Sequence, residues 1–308
     1  MNTRTVDDTV ITYRVVHRTE YQYEAEVSSS YGEVHLQPRD TPAQRCYMAA
    51  VSIDPFPEHS RERRDFHGNR VAHYAILEPH SRLVVTGTSE VGVGTREDPR
   101  EILDDLPWET VRDAVRADRS ADGVAAREFA LPSPSIGASL AAGAFAAQSF
   151  TAGRPMLDAL GDLVSRVHRE FEYAPGLTTV STTLEEVLER RVGVCQDFAH
   201  LTIAGLRAHG LAARYVSGYL ETDPPKGVPR LQGADVSHAW VSVYLPGWGW
   251  VDVDPTNDQF VNERYVTAAW GRDYGDVPPL KGVIFTQGDE HELRVTVDVM
   301  RIDDPPGS

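Results

Sequence analysis

The chain has 308 residues, of which 41% are hydrophobic and 25% are charged, and its formal net charge is −16. This composition is typical of a globular protein with a sizeable core, and the length predicts two domains or one large one. The negative charge argues against nucleic acid or an anionic membrane as the main partner. The first residues lack the apolar run of a signal peptide, and no later stretch is apolar enough to span a bilayer.

Alternating residues between about 10 and 95 predict short β-strands separated by proline, glycine and charged turns. We expect them to form a β-sandwich-like domain over residues 1–96. Residues 97–153 contain short helical stretches and a Pro-Ser-Pro break, which indicates a helical or irregular connector. Cys46 lies inside one of the predicted strands with neither a helix start nor a base beside it, and a packing role is predicted for it.

Residues 154–308 form the third predicted region. Threonines at 182–183 and glutamates at 185–186 give a capping-box signal for a helix that leads toward Cys195. A second helix begins at Cys195, and its apolar and small residues occupy so much of the circumference that it must be buried. Free N–H groups and the helix dipole at such a start favour a thiolate. A free cysteine is more often a small core residue, so its partners decide the interpretation.

Two strands downstream carry candidate partners of this thiol. Residues 237–245 alternate as a strand that opens with His238, and residues 248–254 return after a Pro-Gly turn and end with Asp254. Cysteine, histidine and aspartate can supply a nucleophile, a base and a group that orients the base. Asp252 competes for the last role because it shares a strand face with Asp254, which lies farther from the turn and closer to the expected position of His238.

The geometry of the turn decides whether His238 and Asp254 can meet. A regular two-residue turn would place the two side chains on opposite faces of the hairpin. A three-residue turn pairs Leu245 with Gly249 and returns both side chains to one face, and a β-bulge would have the same effect. We therefore predict a three-residue turn or a compensating bulge, with a positive φ at Gly247 or Gly249.

Three segments resemble the signature blocks of a known family. Gly193-Val-Cys-Gln-Asp-Phe-Ala, His238-Ala-Trp-Val and Asp254-Pro-Thr-Asn are similar, in content and order, to blocks of the bacterial transglutaminase-like superfamily. The resemblance implies an α+β fold, in which a papain-like core with a cysteine-bearing helix on an antiparallel sheet follows the N-terminal β region. It also favours Asp254 over Asp252, because Asp254 is the aspartate of the matching Asp-Pro-Thr block.

The resemblance implies a Cys195–His238–Asp254 triad that transfers an acyl group from a peptide or amide through a thioester. The expected partners are a peptide or protein substrate and, for transamidation, a primary amine; neither a metal nor another cofactor is expected. Four side chains are candidate substrate contacts: Tyr173, Gln196, Tyr219 and Trp240. Aromatic residues on strands are more often plain core, which is the alternative for the last two.

Two alternatives stay open from the sequence. Hydrolysis and transamidation differ in the hydration of the pocket and in access for an amine, which sequence does not encode. A catalytically inactive binding module on the same fold is the rival to an enzyme, although all three triad positions are filled. With only two cysteines in dissimilar contexts, a disulfide framework is not expected, and a reducing cytoplasm is the simplest location.

The remaining predictions concern elements around the site. The Pro- and Gly-rich segment 223–230 is predicted to be an exposed lip beside the substrate. Residues 261–272 are predicted to be helical. Residues 283–286 and 292–302 are predicted to be strands that complete the core sheet, and the tail after them is predicted to be frayed.

Overall fold

The computed structural model describes residues 10–103, 106–222, 237–288 and 290–302. The predicted lip at 223–230 and the tail from 303 onward lie outside these described residues. Within the described ranges, none of the helices has the length and apolarity needed to cross a membrane. Helices and antiparallel strands occupy largely separate stretches of the chain, so the predicted α+β class is confirmed.

The N-terminal region is organised around one long strand. Its five strands are β1 (Val10–Val34), β2 (Gln44–Asp54), β3 (His59–Arg64), β4 (Arg70–Ile76) and β5 (His80–Gly94). β1 pairs with β5 along its first part and with β4 along its last part, and a register shift after Gln22 separates the two. A hydrophobic cluster draws side chains from β2, β4 and β5, so the two parts enclose a common core, as in a sandwich.

Short helices connect this region to the core. They are α1 (Pro99–Ile102), α2 (Trp108–Ala117), α3 (Ala121–Ala126) and α4 (Leu140–Ala147). The hydroxyls of Ser120 and Ser139 accept backbone N–H groups at the starts of α3 and α4, respectively, which satisfies donors that a helix start leaves free. The short helical stretches predicted for the connector are therefore present, α4 among them.

The first half of the core leads through four elements to a buried helix, α7. Its elements are α5 (Met156–Glu170), β6 (Glu172–Tyr173), α6 (Leu184–Arg190), β7 (Val192–Gly193) and α7 (Cys195–Ala208). The predicted capping box at the start of α6 is formed by Thr183 and Glu186. α7 packs closely on α4, because a Cβ added at Gly205 would lie only 2.8 Å from the Cβ of Ala146.

The core sheet has five antiparallel strands in the order β11-β10-β9-β8-β12. They are β8 (Ala213–Leu220), β9 (Ser237–Leu245), β10 (Gly249–Asp254), β11 (Gln259–Phe260) and β12 (Tyr265–Gly271). The apolar face of α7 packs on one face of this sheet. The helix predicted over 261–272 is wrong: β12 occupies that stretch. It is almost wholly buried, and a short apolar run buried on both faces does not show the alternation that distinguishes a strand from a helix.

The last two strands return to the N-terminal region. They are β13 (Leu280–Thr286) and β14 (His291–Arg301), and both pair with β1. The prediction that they complete the core sheet is therefore wrong. Alternation of apolar and polar residues indicates that a strand buries one face, but it does not indicate which sheet the strand joins. The limits of the three predicted regions, 1–96, 97–153 and 154–308, remain a prediction.

Candidate active site

The hairpin of β9 and β10 has the predicted register. Leu245 pairs with Gly249, so the turn contains three residues, and both Gly247 and Gly249 have positive φ, at 86° and 100°. No bulge is needed to bring the two candidate side chains to one face. His238 Nε2 lies 2.7 Å from Asp254 Oδ2.

Asp254 is fully buried and accepts hydrogen bonds from five donors. Oδ2 accepts from His238 Nε2, Asn257 Nδ2 and the Tyr265 hydroxyl, each at 2.7 Å. Oδ1 accepts from the backbone N–H groups of Thr256 and Asn257 at 2.8 and 3.3 Å. Burial acts to raise the pKa of Asp254, but the charge of His238 and these donors outweigh it and hold the pKa below its ordinary value. The carboxylate is therefore kept ionised in a buried position.

Asp252, the competing aspartate, is placed elsewhere. Its Oδ2 lies 3.3 Å from Arg96 Nη1, so its nearest charged partner is an arginine at the end of the N-terminal region. Asp254 is thus the carboxylate that contacts His238.

His238 is buried and carries a perturbed charge. Burial acts to lower its pKa, but the charge and hydrogen bond of Asp254, together with the interaction with Cys195, raise the pKa of His238 to about 10. The ring is therefore an imidazolium at neutral pH. Because Nε2 faces Asp254, Nδ1 is the ring nitrogen that is left to face the thiol.

Cys195 is the first residue of α7, and a neighbouring carboxylate organises the chain around it. Asp197 Oδ2 accepts the backbone N–H of Val194 at 2.9 Å and the hydroxyl of Thr178 at 2.7 Å. These bonds hold the segment before Cys195, and the loop after β6, against the first turn of the helix. Gly193 permits this close approach, since a Cβ there would lie 2.8 Å from the Cβ of Asp197.

Two of the predicted substrate contacts lie at the accessible side of the site. The side chain of Tyr173 is 48% exposed. Burial of its hydroxyl and the nearby charges of Cys195 and Asp254 raise its pKa. Gln196 is half-buried and follows Cys195 directly. Both therefore remain candidates for contact with a substrate.

The other two predicted contacts are contradicted by their burial. Tyr219 is 2% exposed and packs in a cluster with the N-terminal strands, and Trp240 is 0% exposed. The Trp240 ring packs against those of His238 and Tyr265, with centroids 6.3 and 5.3 Å away. Trp240 thus supports the histidine from within the core, and neither aromatic residue lines an open acyl pocket, which agrees with the alternative of plain core packing.

Two family models match the chain. The model of the transglutaminase-like superfamily matches residues 144–255, and that of the bacterial transglutaminase-like N-terminal region matches residues 13–92. The chain belongs to the transglutaminase-like superfamily. The fold and the two-part organisation implied by the three sequence blocks are therefore confirmed.

Similar proteins extend the family assignment. An uncharacterized protein of Mycobacterium tuberculosis is 45% identical over 296 residues, which cover 94% of this chain and 92% of the relative. A solved structure of a candidate cysteine protease from Cytophaga hutchinsonii has a TM-score of 0.75 at 20% identity, and the match covers 96% of this chain and 92% of that one. A protein-glutamine gamma-glutamyltransferase of Pseudomonas aeruginosa is 34% identical over 93 residues, which are 29% of this chain and 14% of the relative.

Three residues of this transglutaminase-like site were not assigned a role from sequence. Asn257 follows Asp254 by three positions, and this short spacing is typical of a side chain that closes a local turn, so it offered a signal. Tyr265 reaches Asp254 only because β12 folds back beside β8, and nothing in the local sequence indicates this contact. Thr178 likewise meets Asp197 through a loop whose path the sequence does not specify.

The charge of His238 predicts a difference in reactivity between the two cysteines. A cation beside Cys195 stabilises the thiolate that reacts with iodoacetamide, so at pH 7 Cys195 should be alkylated much faster than Cys46. Cys46 should label slowly, because burial raises its pKa. In His238→Gln, which removes the cation, alkylation of Cys195 should slow while that of Cys46 should not change. Mass spectrometry of each cysteine measures both rates, and an unchanged rate at Cys195 in His238→Gln would exclude the interaction.

The hydroxyl of Tyr265 predicts a positioning effect. Tyr265→Phe keeps the buried ring but removes one of three donors to Asp254 Oδ2. We expect unfolding in urea to show a loss of about 1.5–3 kcal/mol, the usual contribution of a hydrogen bond to a charged group. Alkylation of Cys195 at pH 7 should also slow, because Asp254 is then held less firmly and stabilises the His238 imidazolium less.

Tyr219→Phe is the matched control for this variant. Tyr219 is as deeply buried, and its hydroxyl makes no hydrogen bond within the described parts of the chain. Equal changes in the two variants would show that loss of a buried hydroxyl, and not the contact with Asp254, causes the effect.

Proposed function

We propose that this chain is a cysteine-dependent acyl-transfer enzyme that acts on peptide or amide substrates through a thioester. The proposal rests mainly on one observation. The His238–Asp254 pair is buried, hydrogen bonds hold Asp254 in place, and the pair interacts with Cys195 at the start of a buried helix. A structural ion pair does not require a thiol beside it, whereas nucleophilic catalysis requires all three groups together.

In the proposed first half-reaction, the Cys195 thiolate attacks the acyl carbon of the substrate. The backbone N–H of Cys195, at the positive end of the helix, is placed to stabilise the oxyanion. The bond between carbon and nitrogen then breaks, and the His238 imidazolium gives its proton to the departing amine. The products are a thioester on Cys195 and a free amine or ammonia.

In the second half-reaction, neutral His238 takes a proton from the incoming nucleophile, which attacks the thioester. Water yields a carboxylic acid and a primary amine yields a new amide; either restores the thiolate and the imidazolium. Asp254 keeps the ring oriented and its charge compensated through both steps. The glutamyltransferase relative supports amide donors of the glutamine type, and both outcomes stay within the proposal.

The partners in this proposal are a peptide or protein acyl donor and, for transamidation, a primary amine. Both cysteines are free. A reducing compartment, such as the cytoplasm, suits an enzyme of this kind, because the nucleophile must remain a thiol.

The test is a product analysis on a panel of peptides and glutamine-containing peptides, with and without a primary amine. Release of ammonia or peptide fragments, together with acid or amine-linked product by mass spectrometry, supports the proposal and separates hydrolysis from transamidation. Cys195→Ala gives the background. If wild type never exceeds that background and iodoacetamide labels Cys195 no faster than Cys46, an inactive binding module is the better assignment.

A further inference from the structure

A cavity lies beside the hairpin of β9 and β10. It has a volume of about 590 Å³, within the range of small-molecule sites, and its described lining does not include Cys195, His238 or Asp254. Strands β8, β10 and β12 of the core sheet contribute its floor. Residues 41–43 and Arg96 of the N-terminal region, together with residues between 97 and 103 of the connector, contribute to its rim. It is therefore bounded by all three parts of the chain.

The floor of this cavity contains a buried arginine, and Asp252 of the same lining acts on its charge from beyond ion-pair distance. Arg214 is 7% exposed, and its guanidinium lies between the indole rings of Trp250 and Trp270, 3.9 and 3.7 Å from their centroids. Within the described ranges its side chain makes no hydrogen bond or ion pair, and its Nε is buried without a partner. A buried charge without hydrogen bonds is costly, so a ligand that supplies them would bind favourably.

The surroundings of Arg214 define the charge and shape of that ligand. Because indole rings cover both faces of the guanidinium, a ligand can reach only its edge, which is the geometry of a planar carboxylate. Arg96 is paired with Asp252 at 3.3 Å, so two arginines and one aspartate leave a single positive charge at the inner end. Glu97 and Asp122 line the cavity too, but they are exposed and screened by solvent.

The rest of the cavity is suited to an apolar group. Apolar side chains of the connector and the core sheet contribute to its walls, among them Ile102, Leu103, Val251 and Val261. Trp248, in the hairpin turn, also lines it and is 58% exposed, so a large apolar surface stands open beside the charged end. Covering such a surface contributes roughly 25 cal/mol per Å².

We propose that this cavity binds a ligand in which a carboxylate adjoins an apolar group, with Arg214 as the partner of the carboxylate. An N-acylated amino acid and the C-terminal residue of a peptide share this chemistry. The site is separate from the acyl-transfer site, and it does not depend on the proposed function.

The test is titration calorimetry with N-acetyl-leucine, N-acetyl-leucinamide and a peptide that ends in leucine. The protein is first blocked at Cys195 with N-ethylmaleimide, so that binding at the catalytic site does not contribute. We expect a Kd of about 1 mM or below for at least one carboxylate. The neutral amide should bind at least about tenfold more weakly. Tighter binding of the peptide would identify a peptide C-terminus as the ligand, and tighter binding of N-acetyl-leucine would identify an N-acylated amino acid.

Arg214→Gln should weaken carboxylate binding about tenfold or more, because it removes the charge. If circular dichroism shows that this variant is unfolded, Trp248→Ala replaces it: this exposed position should leave the fold unchanged and weaken N-acetyl-leucine severalfold more than acetate. No binding by wild type up to about 10 mM would overturn the proposal, as would equal binding of acid and amide. Unchanged binding in folded Arg214→Gln would also overturn it.

Discussion

Replacing Cys195 with alanine is expected to abolish turnover and leave the fold unchanged. The rate should fall by about four orders of magnitude or more, because loss of a nucleophile disables the whole triad and not one part of it. The stability should change by less than about 1 kcal/mol, since the residue is only half-buried and the substitution removes one sulfur atom. Product formation under the conditions of the peptide panel and unfolding in urea measure the two quantities.

Cys46→Ala is the matched control for this prediction. It removes the same atom from β2, where Cys46 is also half-buried, and it should retain wild-type turnover. Cys195→Ser should be nearly inactive, because a hydroxyl is far less acidic than a thiol beside the same histidine. Wild-type turnover by Cys195→Ala would show that another residue is the nucleophile.

The parts of this site that depend on local rules could be predicted from sequence. The start of α7 follows from the Gly-Val-Cys segment and the apolar circumference of the helix. The meeting of His238 and Asp254 follows from the parity of the hairpin, because a shift of one residue reverses every side chain. The start of α6 follows from reciprocal bonds between two side chains and the backbone. In each case the interacting residues lie close in sequence or in one hairpin.

The parts that depend on distant packing could not be predicted. Tyr265 contacts Asp254 through β12, whose buried run resembles a helix in sequence. β13 and β14 return across the molecule to β1, and no local pattern selects that partner. Trp240 has the residue type of a substrate contact, yet it is fully buried and packs against the rings of His238 and Tyr265. The two indole rings that flank Arg214 likewise come from different strands, Trp250 from β10 and Trp270 from β12.

Asp254→Asn is expected to lower both turnover and stability. An amide is isosteric with the carboxylate, but its NH₂ group would face three donors if it replaced Oδ2, and it carries no charge to balance His238. Turnover should fall by about three to four orders of magnitude, as expected for loss of the orienting group in a triad. Removing one partner of a buried ion pair should lower the free energy of unfolding by roughly 3–5 kcal/mol.

The pH dependence of that loss separates the ion pair from a simple packing defect. The pKa of His238 is raised to about 10 in the folded protein, so its stabilising contribution is complete below its ordinary value near 6.5 and disappears as the pH rises toward 10. Asp254 has a lowered pKa, so its contribution is present above its ordinary value near 3.9 and is lost on acidification. The gap between wild type and Asp254→Asn should therefore be largest near pH 5 to 6 and narrow by pH 9.5.

Unfolding in urea at pH 5.5, 7.5 and 9.5 measures this gap. Asp258→Asn is the matched control: it makes the same change four residues away, at an exposed position whose φ of 53° asparagine tolerates well. Its stability should differ little from wild type and show no comparable trend with pH. A gap for Asp254→Asn that stays constant across the three pH values would mean that His238 is not held as an imidazolium, and the proton donor to the departing amine would have to be sought elsewhere.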